Sequence, residues 1–333
     1  MKRIYTISFT LNEYTGLHQV LSKVHTVLKN EFDAKIVGNM DYSKVHRKMN
    51  IKENDYIIFR NPFKFYNSIV VAHERILLPL LWIIKLLNLG NVKIVYIHHN
   101  ILVGHKYWSF FPKHIITISE KCIKNLTEYF NIPKKRITKI YNCADDAYYL
   151  CEKEKEYTQD DIKILYPAKI YNVKQQLEIV RHLKNRLSSG VHILFAGNGP
   201  DFEELKSLTV SDDRFECLGF INDMSGLYKT VDYVMLFSKH EGLPISLIEG
   251  AMTATPLICN DVGGNLEIAE NGYNAMVTND WNGLIECLNS LPSISKDEYL
   301  RMSRNSRVKY LENFTFDKFK ENYINYFRTL LSE

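Results

Sequence analysis

Ser238-Lys239-His240-Glu241-Gly242-Leu243-Pro244-Ile245-Ser246-Leu247-Ile248-Glu249-Gly250-Ala251 is the stretch on which the fold turns. It follows the apolar run 233–237, which reads as a buried strand, and runs into a segment that reads as a helix over 246–253. Gly242 and Pro244 make the connection a tight loop. A helix that starts just past a strand end offers free backbone N–H groups and a positive dipole end, here at Ser246 and Leu247, which suits a phosphate. Glu249, one turn into the helix, can accept hydrogen bonds from hydroxyls such as a ribose diol. Glu241 stands at the strand end, eight residues earlier, so the two carboxylates can address two parts of one ligand.

Outward from this unit the same alternation repeats. Strands are expected at 162–166, 191–196, 215–218 and 256–259, with helices at 174–187, 200–208, 224–229 and 265–270. The chain closes with helical segments near 281–290, 296–311 and 317–331. Towards the N-terminus, strands are expected at 4–9, 34–37, 56–59, 92–97, 114–118 and 137–141. Helices are expected at 17–30, across the apolar region 72–89, and from a Ser119 cap to residue 130. Alternating β and α segments imply parallel sheets with helices on their faces, whose ligands bind beyond the carboxyl ends of the strands. The polar stretch 145–161, with its Glu152-Lys153-Glu154-Lys155-Glu156 run, reads as a linker between two such domains.

Composition agrees. The chain has 333 residues, 46% apolar and 24% charged, which suits two globular domains and excludes a disordered or fibrous protein. The six cysteines include no C-x-x-C pair, which fits a reducing compartment. The basic N-terminus leads into too short an apolar run for a signal peptide. The longest apolar stretch, 76–89, carries Pro79 and Lys85 and falls short of the ~20 residues that span a bilayer, so no transmembrane helix is expected. Net charge is +4, but residues 1–150 carry +11 and residues 151–333 carry −7, so one half is suited to something anionic.

The 238–251 stretch resembles the E-x7-E signature of retaining glycosyltransferases of the GT-B fold, in particular glycosyltransferase family 4 (glycosyl transferases group 1). Other segments match in order. Pro167-Ala168-Lys169-Ile170-Tyr171-Asn172-Val173-Lys174 resembles the loop whose Arg and Lys hold the donor diphosphate, with Lys169 in place of the Arg. Phe195-Ala196-Gly197-Asn198-Gly199-Pro200 resembles the family's G-x-G-P turn, which puts Gly197 near the nucleotide. Leu218-Gly219-Phe220-Ile221 resembles the segment that meets the base. Asp261-Val262-Gly263-Gly264-Asn265-Leu266-Glu267 resembles a fold-specific V-G-G-x-x-E loop. Ile94-Val95-Tyr96-Ile97-His98 resembles the strand ending in an active-site histidine, with His99 as the second candidate. Gly16 stands where relatives have a Gly-Gly loop.

The resemblance implies two Rossmann-like doubly wound α/β domains facing across a cleft. They are an acceptor domain over 1–155, a nucleotide-sugar domain over 156–312, and a last helix over 313–333 that crosses back to the first. It implies a hexosyl- or N-acetylhexosaminyl-transferase that moves sugar from a nucleotide-sugar to a glycan or lipid-linked glycan, in surface polysaccharide or lipopolysaccharide assembly. UDP-sugars are the favoured donors and GDP-mannose the second. His98 and Glu241 are the expected catalytic residues. Gly16, Lys169, Lys174, Gly197, Ile221, Ser246, Leu247 and Glu249 are expected to bind the donor. No Asp-x-Asp pair and no phosphate-loop motif occur, so the expectation is no metal and no cofactor.

Lys121, Lys124, Lys134, Lys135, Arg136 and Lys139, with the apolar 76–89 stretch and Tyr107, Trp108, Phe110 and Phe111, suit an anionic membrane surface. A cytoplasmic protein, peripheral on the inner face of the membrane, is therefore expected, with no nucleic-acid partner. The competing readings are a non-catalytic nucleotide-sugar-binding module on the membrane and a GT-B epimerase or phosphorylase.

Overall fold

The computed structural model describes residues 2–148 and 157–333, apart from the side chain of Tyr107. The charge-rich 152–156 run and the expected boundary at 155 lie outside the described residues. The chain forms two compact units, Met1–Asn142 with Asp317–Glu333, and Cys143–Phe316.

The first unit is a seven-stranded parallel sheet, in the order β3-β2-β1-β4-β5-β6-β7. Its strands are β1 (Ile4–Ile7), β2 (Ala34–Gly38), β3 (Tyr56–Ile58), β4 (Ser68–Ala72), β5 (Val92–His98), β6 (His114–Thr117) and β7 (Ile137–Lys139). Helices α1 (Gly16–Glu31), α2 (Leu78–Leu87) and α3 (Glu120–Lys124) connect them, and α3 runs on into a π-helical turn, Asn125–Tyr129. Ser119 caps α3 as expected, its Oγ accepting from the Cys122 N–H at 3.2 Å.

The second unit is a six-stranded parallel sheet in the order β10-β9-β8-β11-β12-β13. Its strands are β8 (Ile162–Pro167), β9 (Val191–Ala196), β10 (Phe215–Gly219), β11 (Tyr233–Leu236), β12 (Leu257–Cys259) and β13 (Ala275–Val277). Its helices are α4 (Gln176–Leu183), α5 (Phe202–Thr209), α6 (Met224–Thr230), α7 (Ile245–Met252), α8 (Asn265–Ile268), α9 (Trp281–Ser290) and α10 (Lys296–Asn313). The final helix, α11 (Phe316–Ser332), is grouped almost wholly with the first unit: Lys93 of β5 donates to its Leu330 carbonyl at 2.7 Å.

Both sheets are doubly wound. Their strand order reverses between β1 and β4 and between β8 and β11, the points at which such sheets hold ligands beyond their carboxyl ends. β1, β4 and β11 are buried along their whole length, as strands covered by helices on both faces must be.

Two strands depart from the sequence expectation. The apolar region expected to be helical from residue 72 begins with the end of a strand: Ser68-Ile69-Val70-Val71-Ala72 is β4, hydrogen-bonded between β1 and β5, and α2 starts only at Leu78. Its β-branched run packs on both faces, so it shows no alternation to set it apart from the greasy helix that follows. β13 is a three-residue edge strand, too short to give a pattern.

Candidate active site

In the second unit the β8–α4 loop is tied to the end of β11. The Tyr166 hydroxyl lies 2.6 Å from the Lys174 carbonyl and 3.0 Å from the Phe237 carbonyl, and it accepts from the Phe237 N–H at 3.1 Å. The Lys239 N–H donates to the Val173 carbonyl at 2.8 Å. These bonds bring Lys174 onto Glu241. Lys174 Nζ is 2.5 Å from Glu241 Oε1, and Ser238 Oγ donates to the same oxygen at 2.7 Å. The carboxylate is buried, at 7% exposure, and the lysine side chain is largely buried with it.

The backbone around Glu241 is held from behind. Asn260, past β12, binds the Ser238 backbone in both directions: Nδ2 donates to its carbonyl at 2.7 Å and Oδ1 accepts its N–H at 3.2 Å. Gly263 has φ near +56°, and a Cβ there would stand 2.2 Å from the Glu241 carbonyl oxygen. The V-G-G loop therefore exists so that one backbone can lie directly on another.

α7 opens at Pro244, which offers no side-chain cap to the first-turn N–H groups at Ile245, Ser246 and Leu247. Glu249 lies further along α7, where its Oε2 accepts from the buried Tyr228 hydroxyl at 3.2 Å. Gly250 lets α7 sit close on the sheet, since a Cβ would reach within 3.0 Å of Val234 and Leu257. Lys169 is exposed, its Nζ 5.6 Å from the Tyr171 ring centroid. Gly197 has φ near +156° and packs on the loop that carries Lys169, where a Cβ would strike the Ala168 carbonyl oxygen at 2.0 Å. Ile221 follows β10 and is half-buried beside the exposed Phe220.

The first unit gathers a second polar group at the carboxyl ends of β1, β4 and β5. His98 closes β5 and is wholly buried, with its ring edge-on to Tyr96 and Phe111. Burial pushes its pKa down to about 4, with the Asn125 side chain acting in the opposite direction, so the ring is neutral at physiological pH. Its Nδ1 lies 3.5 Å from the Tyr96 hydroxyl, and its Nε2 has no partner at hydrogen-bond distance among the described residues. His99 stacks on His73, with His73 Nδ1 2.9 Å from its Nε2, and burial takes its pKa to about 3.

Glu74, just past β4, went unread in the sequence. It accepts from Ser8 Oγ at 2.7 Å, from Thr10 Oγ1, and from the Phe9 N–H at 3.3 Å. Thr10 Oγ1 also lies 3.0 Å from Nε2 of His18, whose Nδ1 accepts the Thr15 N–H at 3.3 Å. This assigns the His18 proton to Nε2 and makes a relay from Glu74 to the residue that caps α1. Gly16 begins α1 beside this relay, and a Cβ there would meet nothing within 4 Å. Reading β4 as a strand would have placed His73 and Glu74 at a strand end and exposed the signal.

Residues 161–293 match the family model of the glycosyl transferases group 1. Over those residues the chain is similar to the glycosyl transferases group 1. Two of the curated relatives of the chain are from Escherichia coli. One is a UDP-Gal:alpha-D-GlcNAc-diphosphoundecaprenol alpha-1,3-galactosyltransferase, 28% identical over 43% of this chain and 39% of its own length. The other, the O-antigen biosynthesis glycosyltransferase WbnH, is 26% identical over 58% of this chain and 53% of its own length. The chain thus spans about half the length of the curated relatives it matches, or less. Among solved structures, HepE of Anabaena in complex with UDP superposes with a TM-score of 0.84 at 14% identity, covering 99% of this chain and all of that one. The lipopolysaccharide outer core galactosyltransferase WaaB superposes with a TM-score of 0.73 at 17% identity, over 97% of this chain and 99% of that one. The two-domain fold is GT-B.

Lys169, Lys174, Gly197, Ile221, Glu241, Ser246, Leu247 and Glu249 all lie on the second unit, around the carboxyl ends of its strands. Within it, Lys174 and Glu241 are in direct contact, while Ser246, Leu247 and Glu249 share α7. Gly16, His98 and His99 belong to the other domain. Ser238, Tyr228, Asn260 and Glu74 are supporting residues that the sequence reading did not single out.

Proposed function

We propose that the chain is a retaining glycosyltransferase that moves a hexose or N-acetylhexosamine from a nucleotide-sugar, a UDP-sugar first among them, to a hydroxyl of a lipid-linked or polysaccharide glycan. The observation that carries the reading is Glu241, buried in the β11–α7 loop between Lys174 and Ser238, ahead of the start of α7, which has no side-chain cap. In the reaction the bond from the anomeric carbon to the diphosphate oxygen breaks. The acceptor oxygen bonds to that carbon from the same face, and its proton leaves on the departing phosphate. Lys169, Lys174 and the α7 N–H groups stabilise the charge that develops on the diphosphate. These fixed charges let the reaction run without a metal. Glu249 holds the ribose hydroxyls, and Glu241 orients the sugar.

On the first domain His98, rather than His99, supports the sugar. Among the described residues its Nε2 has no partner at hydrogen-bond distance, whereas His99 is engaged by His73. The names of the curated relatives support a role in surface polysaccharide assembly. That role puts the enzyme in the cytoplasm, peripheral on an anionic membrane surface.

The test is release of free nucleotide from a panel of UDP- and GDP-sugars, with and without a diphosphoundecaprenol-linked GlcNAc acceptor and with and without EDTA. Acceptor-dependent UDP release that survives EDTA, keeps the anomeric configuration and is lost in His98→Ala with UDP binding intact is expected. Nucleotide binding without turnover, epimerised donor, or unchanged turnover in His98→Ala would overturn the corresponding part.

A further inference from the structure

We infer that Glu74 binds hydroxyls of the acceptor sugar at the crevice between β1 and β4, and that its uncompensated charge restricts that sugar to a neutral one. The inference rests on the proposed function and adds a specificity-determining residue to it.

The topology sets the place. β1 and β4 are neighbours at the point where the strand order of the first unit reverses, and a doubly wound sheet holds its ligand beyond the carboxyl ends there. Ser8, Phe9 and Thr10 follow β1, and Glu74 follows β4. Glu74 is half-buried and reaches across to the β1 side. Its Oε1 accepts from Ser8 Oγ and from Thr10 Oγ1, so the hydrogens of both hydroxyls are committed to it. Among the described residues its Oε2 takes only the Phe9 N–H, at 3.3 Å, longer than is usual for such a bond. One oxygen thus fixes the carboxylate, and the other keeps lone pairs for a further donor.

The charge selects the ligand. Among the described residues no cation stands within ion-pair distance of Glu74. Arg75, the next residue, turns instead to the Gly104 carbonyl at 3.3 Å and Ser109 Oγ at 3.4 Å. His18, reached through Thr10, has its pKa lowered by burial, as have His73 and His99, so these rings supply no counter-charge at physiological pH. A half-buried carboxylate without a cation is unfavourable unless neutral donors complete it. Sugar hydroxyls are such donors. A phosphate or a second carboxylate would instead set a like charge beside it. The diphosphates of the donor and of a lipid-linked acceptor are therefore kept from this position, and a neutral sugar ring fits it. The residues that the proposed function gives to the nucleotide lie on the second unit and Glu74 on the first, which assigns the ring to the acceptor.

The test uses the full chain with methyl glycosides of N-acetylglucosamine, glucose, galactose and glucuronic acid, and with monodeoxy analogues of the neutral glycoside that binds best. Binding is read by saturation-transfer NMR without donor, and transfer by steady-state kinetics with a UDP-sugar. Wild type should bind a neutral glycoside. Glu74→Ala should raise KM for it about tenfold or more with KM for the donor unchanged, and Glu74→Gln should do so in part. Removing the hydroxyl that Glu74 holds should cost wild type about the same tenfold and cost Glu74→Ala nothing further. A Glu74 that only supports the loop would leave that deoxy penalty equal in both proteins. The glucuronide should bind Glu74→Gln better than wild type. If Glu74→Ala does not fold, Glu74→Gln with the deoxy series and the glucuronide carries the test. Equal deoxy penalties, an acceptor KM unchanged in the variants, a rise confined to the donor KM, or no glycoside binding by wild type overturns the inference. Glycoside binding that depends on Glu74 without any transfer would sink the proposed function and leave this inference standing; transfer indifferent to Glu74 would do the reverse.

Discussion

Lys174 Nζ and Glu241 Oε1 stand 2.5 Å apart, each neutralising the other in a largely buried setting. In the proposed reaction they take different parts of the donor, the lysine the diphosphate and the glutamate the sugar. Removing one partner of such a pair leaves a buried uncompensated charge, which costs about 3 kcal/mol. Lys174→Ala should therefore lower folding stability by about that amount as well as abolish the thermal shift given by UDP. Lys174→Met/Glu241→Gln should regain most of the stability and none of the binding. Urea denaturation of the three proteins separates the two effects; a fully stable Lys174→Ala would contradict the pairing.

Gly263→Ala carries the second expectation. The added Cβ would stand 2.2 Å from the Glu241 carbonyl, at a positive φ that alanine disfavours. The loop must move, and Glu241 with it. Stability should fall by about 1–3 kcal/mol, and turnover should fall further than that loss of folded protein explains. Gly264→Ala gives the comparison within the same loop. Equal activity per folded molecule in Gly263→Ala and wild type would be the contrary result.

Tyr228→Phe removes the hydroxyl that donates to Glu249 and keeps the ring that fills the core. A hydrogen bond to a charged group is worth about 1.5–3 kcal/mol. If Glu249 holds ribose, the loss appears as a roughly tenfold rise in KM for the nucleotide-sugar with kcat little altered. Steady-state kinetics with varied donor decide it, and a fall in kcat alone would remove Glu249 from ribose binding.

Acid should weaken the first domain. Burial pushes His25 and His98 down to about 4 and His99 to about 3, below the ~6.5 of a free imidazole. The unfolded chain then takes up protons first, so stability is flat above ~6.5 and declines as pH falls towards ~4, at up to about 1.4 kcal/mol per pH unit for each histidine. His25 makes the sharpest case. Among the described residues neither ring nitrogen has a hydrogen-bond partner, and the nearby Asp55, which favours the charged ring, is itself engaged by Lys29 and Lys35. His25→Leu should gain about 1 kcal/mol at neutral pH and flatten the acid decline, as urea midpoints across that range would show.

The sequence made the second domain far more legible than the first. The glutamates, glycines and Pro244 of 238–251 sit at fixed offsets because strand, loop and helix each constrain them, and the structure keeps that register. In the first domain the strand Ser68–Ala72 merges into an apolar region that turns helical only at Leu78, so periodicity gave no edge to find. With β4 hidden, Glu74 and His73 had no strand end to stand on. Supporting contacts such as Asn260 on Ser238 and Tyr228 on Glu249 join residues 22 and 21 apart, through crossings that spacing alone does not reveal.

The grouping of residues 317–333 with residues 1–142 bears on how the chain is made. Phe319, Tyr323, Phe327 and Leu330 are buried along α11, and Phe327 packs on Phe32 near the end of α1. The domain synthesised earlier is thus closed by residues synthesised later, while the second domain is one continuous segment. During translation the second domain can reach its final packing before its predecessor does. Until α11 arrives, the earlier sheet waits on the ribosome with part of its apolar surface uncovered. Order of emergence and order of completion are reversed.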